Sequence, residues 1–458
     1  MAERGQQVAL MRDIYSSATQ VTIWLGEEDE DSDVAFDALH KIIGTESWPK
    51  DKSTCSNIRQ HSGTFYFQLA ARRSWLSRVW ILQELAMSKN DPIVVCGHKS
   101  APWSIFIAAW RAIAKEALAD LGTRPKETAS ITTGSASMND GFELLSLMKL
   151  DVLDDLRLTT QKRGGDSLRR LLAISKSSAA TDPRDRVYGL LGLLEEEARD
   201  PQLSFNIPVN YQKPCSESYT DAVAHIFSRG EGPYFLSGIS LSGRPSTAPQ
   251  IASLPSTTVQ PDLPSWVPDF TRQDFDKTAQ PEGWHFHPPT TMHASGAGQG
   301  ARNGTVLVDG RTLQVEGLIH LKSGYDPAPL TYEAMYKGIL RSEAPSTVNE
   351  SDTPHLMTAP ALNDYEEILR SRVGKMSFFT TANGFSGTCV PSSCAGDIIV
   401  IVFGSPSPFV LRPVPGTTDE HQAYWLIGCS YVGGIMDGEM VDELYCEDLI
   451  DSTTFLIL

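Results

Sequence analysis

The chain has 458 residues, enough for two or three domains each with its own core, so it is not a small scaffold held by disulfides or metal. Lys and Arg number 39 against 56 Asp and Glu, a net charge of −17, which argues against a broad electrostatic grip on nucleic acid or an anionic membrane. Met1 to Gln7 has no basic stretch leading into an apolar one, and no apolar run is long enough to span a bilayer, so a soluble cytoplasmic protein is expected.

Residues 3–19 place Val8, Met11, Ile14, Tyr15 and Ala18 on one helical face, and Val21 to Leu25 reads as a short buried strand closed by Gly26. The acidic turn from Glu27 to Asp33 lacks the ligand spacing of a calcium loop and reads as solvated. Within it, Ser32 is placed to cap a helix carrying Val34, Ala35, Ala38, Leu39 and Ile42. Ser74 is the expected N-cap of a further helix whose apolar stripe is Leu76, Val79, Leu82 and Ala86, with Trp80 and Glu84 sharing a face. A Trp four residues before a Glu can shield one side of the carboxylate from water, raising its pKa or stiffening it for a polar ligand. The alternative is a carboxylate that is simply solvated or is paired structurally with a nearby Arg such as Arg72, Arg73 or Arg78. Ile93 to Cys96 reads as another short buried strand, and Pro102-Trp103-Ser104 opens a helix through Trp110 and Ile113. Alternating strands and helices predict a parallel sheet with helices packed on it.

From Thr123 to Asp140 the sequence loosens, then returns to helical pattern over Leu144 to Leu156 and Leu168 to Ile174. In Thr181-Asp182-Pro183-Arg184-Asp185-Arg186-Val187-Tyr188-Gly189, Asp182 is the expected N-cap, Pro183 the first helical residue and Asp185 the acid of a capping box. Its charged cluster reads as structural. A helix over Ser216 to Arg229 follows, then a Ser/Pro/Thr-rich linker at 241–262, a docked extended segment from Pro264 to Phe270 and a second loose stretch from Asp276 to Gly304. Short strands are predicted at Thr305 to Val308, Thr312 to His320, Ser377 to Thr381, Asp397 to Phe403, Phe409 to Arg412 and Ala423 to Cys429, with a polar insertion at 341–362.

Seven cysteines, an odd number thinly spread, fit reduced thiols better than a disulfide framework. The spacing of Cys389 and Cys394 is poor for zinc, and His285 and His287 show no third ligand, so no metal is expected. Gly384-Phe385-Ser386-Gly387 is not a nucleophile elbow, and Gly433 to Glu439 reads as a tight turn rather than a phosphate loop.

Three blocks, in order, resemble the fungal heterokaryon incompatibility (HET) domain family. They are Glu3-Arg4-Gly5-Gln6-Gln7-Val8 through Val21 to Gly26; Trp75-Leu76-Ser77-Arg78-Val79-Trp80-Ile81-Leu82-Gln83-Glu84 through Gly97; and Asp182-Pro183-Arg184-Asp185 through Gly192, joined by Leu263 to Phe270. The tail, with Gly396-Asp397, Leu411-Arg412-Pro413 and Gly434 to Glu439, looks like the C-terminal region common in these proteins. The resemblance implies a role in nonself recognition, in which fusion of genetically unlike cells triggers programmed cell death. It further implies a distant likeness to TIR domains, in which a Trp precedes a catalytic Glu on a helix between two strands; Trp80 and Glu84 occupy those places. Some TIR domains cleave the nicotinamide bond of NAD. One carboxylate suits that chemistry, because nicotinamide leaves neutral and an oxocarbenium-like sugar favours a nearby negative charge. NAD is accordingly a possible substrate, and no cofactor is otherwise implied.

HET domains begin upstream with a strand bearing a Tyr-x-Trp-Gly-like motif, whereas this sequence opens at the helix that follows. The expectation is therefore an incomplete pocket and an exposed sheet edge, in a chain that as written is either catalytically dead or a truncated gene model. The overall reading is α+β: an incomplete TIR-like α/β front domain at 1–120, a helical extension at 121–240, a linker with a docked segment at 241–304, and a β-rich domain at 305–458. Function is expected through protein contacts, with another incompatibility protein or by self-association. NAD cleavage by Glu84 and a non-catalytic regulatory binding role are the alternatives.

Overall fold

The computed structural model describes residues 2–29, 32, 33, 36, 39, 73–112, 136–176, 178–195, 207–237, 263–271, 306–322, 328, 329, 377–381, 385–417, 422–433, 435, 436, 438, 441 and 452–458. The expected linker at 241–262, the insertion at 341–362, and His285 and His287 lie outside them. The chain is mixed α+β and forms two compact units, Met1–Gln212 and Lys213–Leu458.

The first unit opens with helix α1 (Ala2–Ser17) and strand β1 (Thr22–Trp24). A single 3-10 turn, Ser74–Ser77, precedes the short helix α2 (Ile81–Ala86), which leads to strands β2 (Ile93–Cys96) and β3 (Lys99–Pro102). Residues 103–112 form helix α3, followed by α4 (Ala136–Arg163), α5 (Leu168–Ser175) and α6 (Asp185–Leu191). The sheet runs β1-β2-β3, with β1 parallel to β2 and β3 antiparallel to it. Strand β3 departs from the sequence expectation. Cys96 and Lys99 pair across the two-residue loop Gly97-His98, and Gly97 takes a φ of +52°, the left-handed backbone that a tight hairpin needs. Alternation sets the faces: Val21, Ile23, Leu25, Val94, Cys96 and Ala101 are buried, while Thr22 and Trp24 face outward.

The predicted continuous helix from Ser74 is split. Arg78 is extended (φ −79°, ψ 141°) and bridges Ala179, so the chain turns before α2 begins and Ser74 caps nothing. Likewise Asp29, not Ser32, caps the turn beyond β1: its carboxylate accepts the Ser32 amide at 2.7 Å while the Ser32 hydroxyl accepts the Asp29 amide at 2.8 Å. The Ser167 cap of α5 accepts the Arg170 amide. Helix α4 ties α3 to the unit through Asp154, which accepts the Trp103 indole and the Arg111 guanidinium, each at 2.8 Å.

The second unit begins with α7 (Cys215–Ser228) and α8 (Gly232–Ser237). Tyr219, Ala222, Val223, Ile226 and Phe227 of α7 are buried, as their spacing predicts. Its strands are β4 (Val306–Asp309), β5 (Thr312–Lys322), β6 (Ala328–Pro329), β7 (Ser377–Thr380), β8 (Ser386–Cys389), β9 (Ile398–Val402), β10 (Phe409–Pro413), β11 (Ala423–Val432) and β12 (Thr453–Ile457). They pair in the order β10-β9-β5-β12-β11, and β10 also pairs with β11, which closes these five into a barrel. A bulge between Val410 and Leu411 bends β10 at that closure. The far end of β11 carries β8, β7 and β6, and β4 forms a hairpin with β5.

By register, Ile398, Val400, Phe409 and Leu411 share one barrel face, while Ile399, Ile401 and Val410 lie on the other with Phe379, Cys389 and Val432. This double burial explains why β9 is apolar at every position. The Pro264–Phe270 segment is docked as expected: Ser265 donates its amide to the Leu458 carbonyl at 2.7 Å and accepts the Leu426 amide at 2.9 Å, and the Trp266 indole donates to the Arg311 carbonyl.

Asp397 is buried beside β9, taking Arg412 Nε at 2.7 Å and Nη2 at 3.0 Å, with the Cys394 amide at 2.9 Å. Removing one member of such a pair strands the other charge in a poorly hydrated place. Asp397→Ala is expected to destabilise the barrel by about 3 kcal/mol in urea unfolding; an unchanged midpoint would show that the pair is dispensable.

Candidate functional site

Helix α2 is six residues long and buried at all six, including Gln83 and Glu84. Burial of Ile81, Leu82 and Leu85 contributes about 2 kcal/mol each, and that apolar packing carries the two polar side chains inward with it. Each must therefore find partners.

Glu84 finds two, with a third group close by. Its Oε2 accepts the Trp75 indole at 2.9 Å and its Oε1 accepts Arg78 Nη2 at 2.9 Å. Tyr15 of α1 lies close enough to feel the same carboxylate: its phenol is pushed up to about 12, first by burial and then by the Glu84 charge, with the Arg78 charge opposing. The Glu84 side chain is 11% exposed and that of Arg78 53%, so the pair sits at the rim of the unit. Of the arginines named from the sequence, Arg78 is the one that pairs with Glu84 among the described residues. The aromatic neighbour is Trp75, nine residues before Glu84. Trp80 is half-buried and lies toward Gly189, where a Cβ would come within 3.8 Å of its ring.

Gln83 donates from Nε2 to the Gly189 carbonyl at 3.0 Å. A Cβ at Gly192 would meet the Gln83 amide at 2.9–3.0 Å, so the end of α6 approaches α2 this closely only with glycine there. Val79 donates to the Ala179 carbonyl at 3.0 Å, and Ala179 donates back to Ser77.

The Asp182-Pro183-Arg184-Asp185 motif lies next to this contact. Asp182 accepts the Arg184 amide at 3.1 Å, as an N-cap does, but the first turn is 3-10 and regular α-helix starts at Asp185. Asp185 does not fold back into a capping box. Its carboxylate takes the Tyr211 hydroxyl and Arg4 Nη2 at 2.8 Å, because α1 brings a guanidinium within reach. Arg4 also pairs with Asp182 at 3.2 Å and stacks on the Tyr211 ring at 4.2 Å. Arg184 pairs with Asp182 at 2.9 Å and donates to the Tyr211 carbonyl. Burial raises the Asp182 carboxyl, but the Arg184 hydrogen bonds and the Arg184 and Arg4 charges outweigh it and hold the pKa below its ordinary value. Burial and the hydrogen bond to Asp185 push the Tyr211 phenol up.

Arg78, Gln83, Glu84 and the four motif residues thus belong to one packed region, joined through α1 and α6. Sequence reasoning missed Trp75, Arg4, Arg12, Tyr15 and Tyr211. Arg4, Val8, Met11, Arg12 and Tyr15 fall at i, i+4, i+7, i+8 and i+11, a helical stripe that a count of apolar residues alone rotates wrongly toward Ile14. Cys389 is buried on β8 with its thiol toward the Ser377 carbonyl, and Cys394 is exposed beside Asp397.

In Glu84→Gln, Tyr15 is expected to titrate lower, from about 12 toward the ordinary 10.0, read as phenolate absorbance against Tyr15→Phe. Because the folded pKa lies above the unfolded one, the Tyr15 contribution to stability is complete below pH 10.0 and is lost as pH rises through about 12. The substitution should cost only about 1 kcal/mol, since half-exposed Arg78 stays solvated and an acceptor for Trp75 remains. A Tyr15 titration unmoved in Glu84→Gln would refute the coupling.

Residues 1–84 match the family described as heterokaryon incompatibility protein (HET), and residues 349–450 match the Het-6 beta-barrel domain. The chain is also similar to heterokaryon incompatibility protein 6, OR allele, of Neurospora crassa, at 25% identity over 561 residues covering 97% of this chain and 80% of that protein. No solved structure matches it. The HET segment thus takes in α1, β1 and the sequence through Glu84, while β7 to β11 fall in the barrel match, so the chain is similar to fungal HET domain proteins in both segments.

Proposed function

We propose that this protein acts in fungal nonself recognition of the kind for which its relative is named, heterokaryon incompatibility, and that it contributes to programmed cell death through protein contacts. The observation that carries the contact-based reading is the state of Glu84: both carboxylate oxygens are engaged by Trp75 and Arg78, with Tyr15 as a third neighbour. A carboxylate that stabilises a sugar cation needs a free oxygen aimed at the reacting carbon. This one is tied into the packing between α1 and α2. A role for the protein in the cytoplasm accords with the described residues, among which no helix is long and apolar enough to cross a membrane.

The parallel pairing of β1 with β2, and the placement of α2 between them in sequence, favour the second reading, a TIR-like enzyme that cleaves NAD. Half-exposed Arg78 is the group whose movement would free Oε1 for that chemistry.

Co-expression with an incompatible partner in a fungal host separates the two. Growth arrest is expected to survive Glu84→Gln, with cellular NAD unchanged from an empty-vector control. Arrest that disappears with Glu84→Gln while the wild-type chain depletes NAD overturns the contact reading in favour of the enzyme.

A further inference from the structure

Helix α1 is attached differently from the other helices of its unit. None of its described side chains is fully buried, and Leu10 and Ile14 are 53% and 52% exposed. Val8, Met11 and Tyr15 are half-buried, so its apolar contribution is small. What holds it is polar. Arg4 reaches Asp182 at 3.2 Å and Asp185 at 2.8 Å; Arg12 donates to the Gly192 carbonyl and, at 3.5 Å, to that of Gly164; Tyr15 reaches Glu84. Arg4 and Arg12 are eight residues apart, about 12 Å along a helix, so the two guanidinium groups grip α6 near its opposite ends. The Arg4 side chain is 47% exposed, and an ion pair in contact with solvent weakens as salt screens it. A free helix of 16 residues is marginal in water, so loss of these contacts also unfolds the segment.

From this we infer that α1 is a salt-releasable latch lying over Asp182 and Asp185 at its start and beside Glu84 near its end, and that its release is a local opening of the first unit rather than part of global unfolding. Opening uncovers carboxylates that Arg4 and Tyr15 occupy in the closed form. Asp185 keeps Tyr211, and Glu84 keeps Trp75 and Arg78, so the body beneath retains internal partners when α1 leaves.

Hydrogen–deuterium exchange on the full chain tests this without requiring a variant. Between about 0.05 M and about 0.5 M NaCl, exchange over residues 2–17 is expected to rise roughly fivefold to tenfold, while α2, α5 and α6 keep their protection. Arg4→Gln should reproduce fast α1 exchange at low salt and abolish the salt response. Val8→Ala should speed α1 exchange yet leave the salt response in place. Salt-independent exchange of α1 in the wild-type chain, or exchange that rises in step with α2 and α6, would overturn the proposal by making α1 an integral part of the fold.

Discussion

The arrangement of the first unit depends on burying a six-residue helix that carries a carboxylate and an amide. Helix α2 is too short to be stable by itself, so its position is set by packing, and that packing takes Gln83 and Glu84 out of water. An unsatisfied buried carboxylate costs several kcal/mol, which obliges neighbouring segments to supply donors. The indole of Trp75 comes from the preceding 3-10 turn and the guanidinium from Arg78 at the break, with the Tyr15 phenol of α1 close by. Gln83 imposes a similar demand on α6, where Gly189 offers a carbonyl and Gly192 leaves the space. Segments distant in sequence are thereby fixed to one another by a few hydrogen bonds.

The second unit solves a different problem. A barrel of five strands has to bend sharply to close, and the bulge in β10 supplies part of that bend where it meets β11. Strand β11 is long enough to serve both structures: its first half closes the barrel with β10 and β12, and its last residues carry β8. The apolar layer between barrel and β7–β8 explains how nearly every residue of β9 can be hydrophobic without an exposed face. Buried Asp397 is the polar exception, and it is held by Arg412 from the neighbouring strand together with the turn that precedes β9.

How much of this was legible depended on whether a residue type reports its own surroundings. Runs such as Ile398 to Val402, and the α7 stripe from Tyr219 to Phe227, announce burial by composition and period, and they are found where expected. Ser386-Gly-Thr-Cys389 does not, because its pairing is imposed by β7 and β11 rather than by side-chain preference. The same is true of β3, where Lys99 and Ser100 extend a hairpin that Gly97 starts. Near Glu84, the Trp–Glu spacing suggested Trp80 as the aromatic neighbour, whereas the indole that donates to the carboxylate is Trp75, placed there by the break at Arg78. Tyr211 leaves no local trace, and Tyr15 shows only as a member of the α1 stripe, with nothing local to mark Glu84 as its neighbour.

The acidic balance of the chain bears on how such a protein makes contacts. With a net charge of −17, its arginines are the scarce member of each pair, and in the first unit several are committed to internal carboxylates: Arg4 to Asp182 and Asp185, Arg78 to Glu84, Arg111 to Asp151 and Asp154, Arg170 to Asp155 and Asp166. Polar pairs at a rim add little to stability, but each is matched by geometry and sign, so they select one packing among several that hydrophobic burial alone would tolerate. A competing arginine on another surface meets the same carboxylates on nearly equal terms, because exchanging one guanidinium for another changes little in free energy.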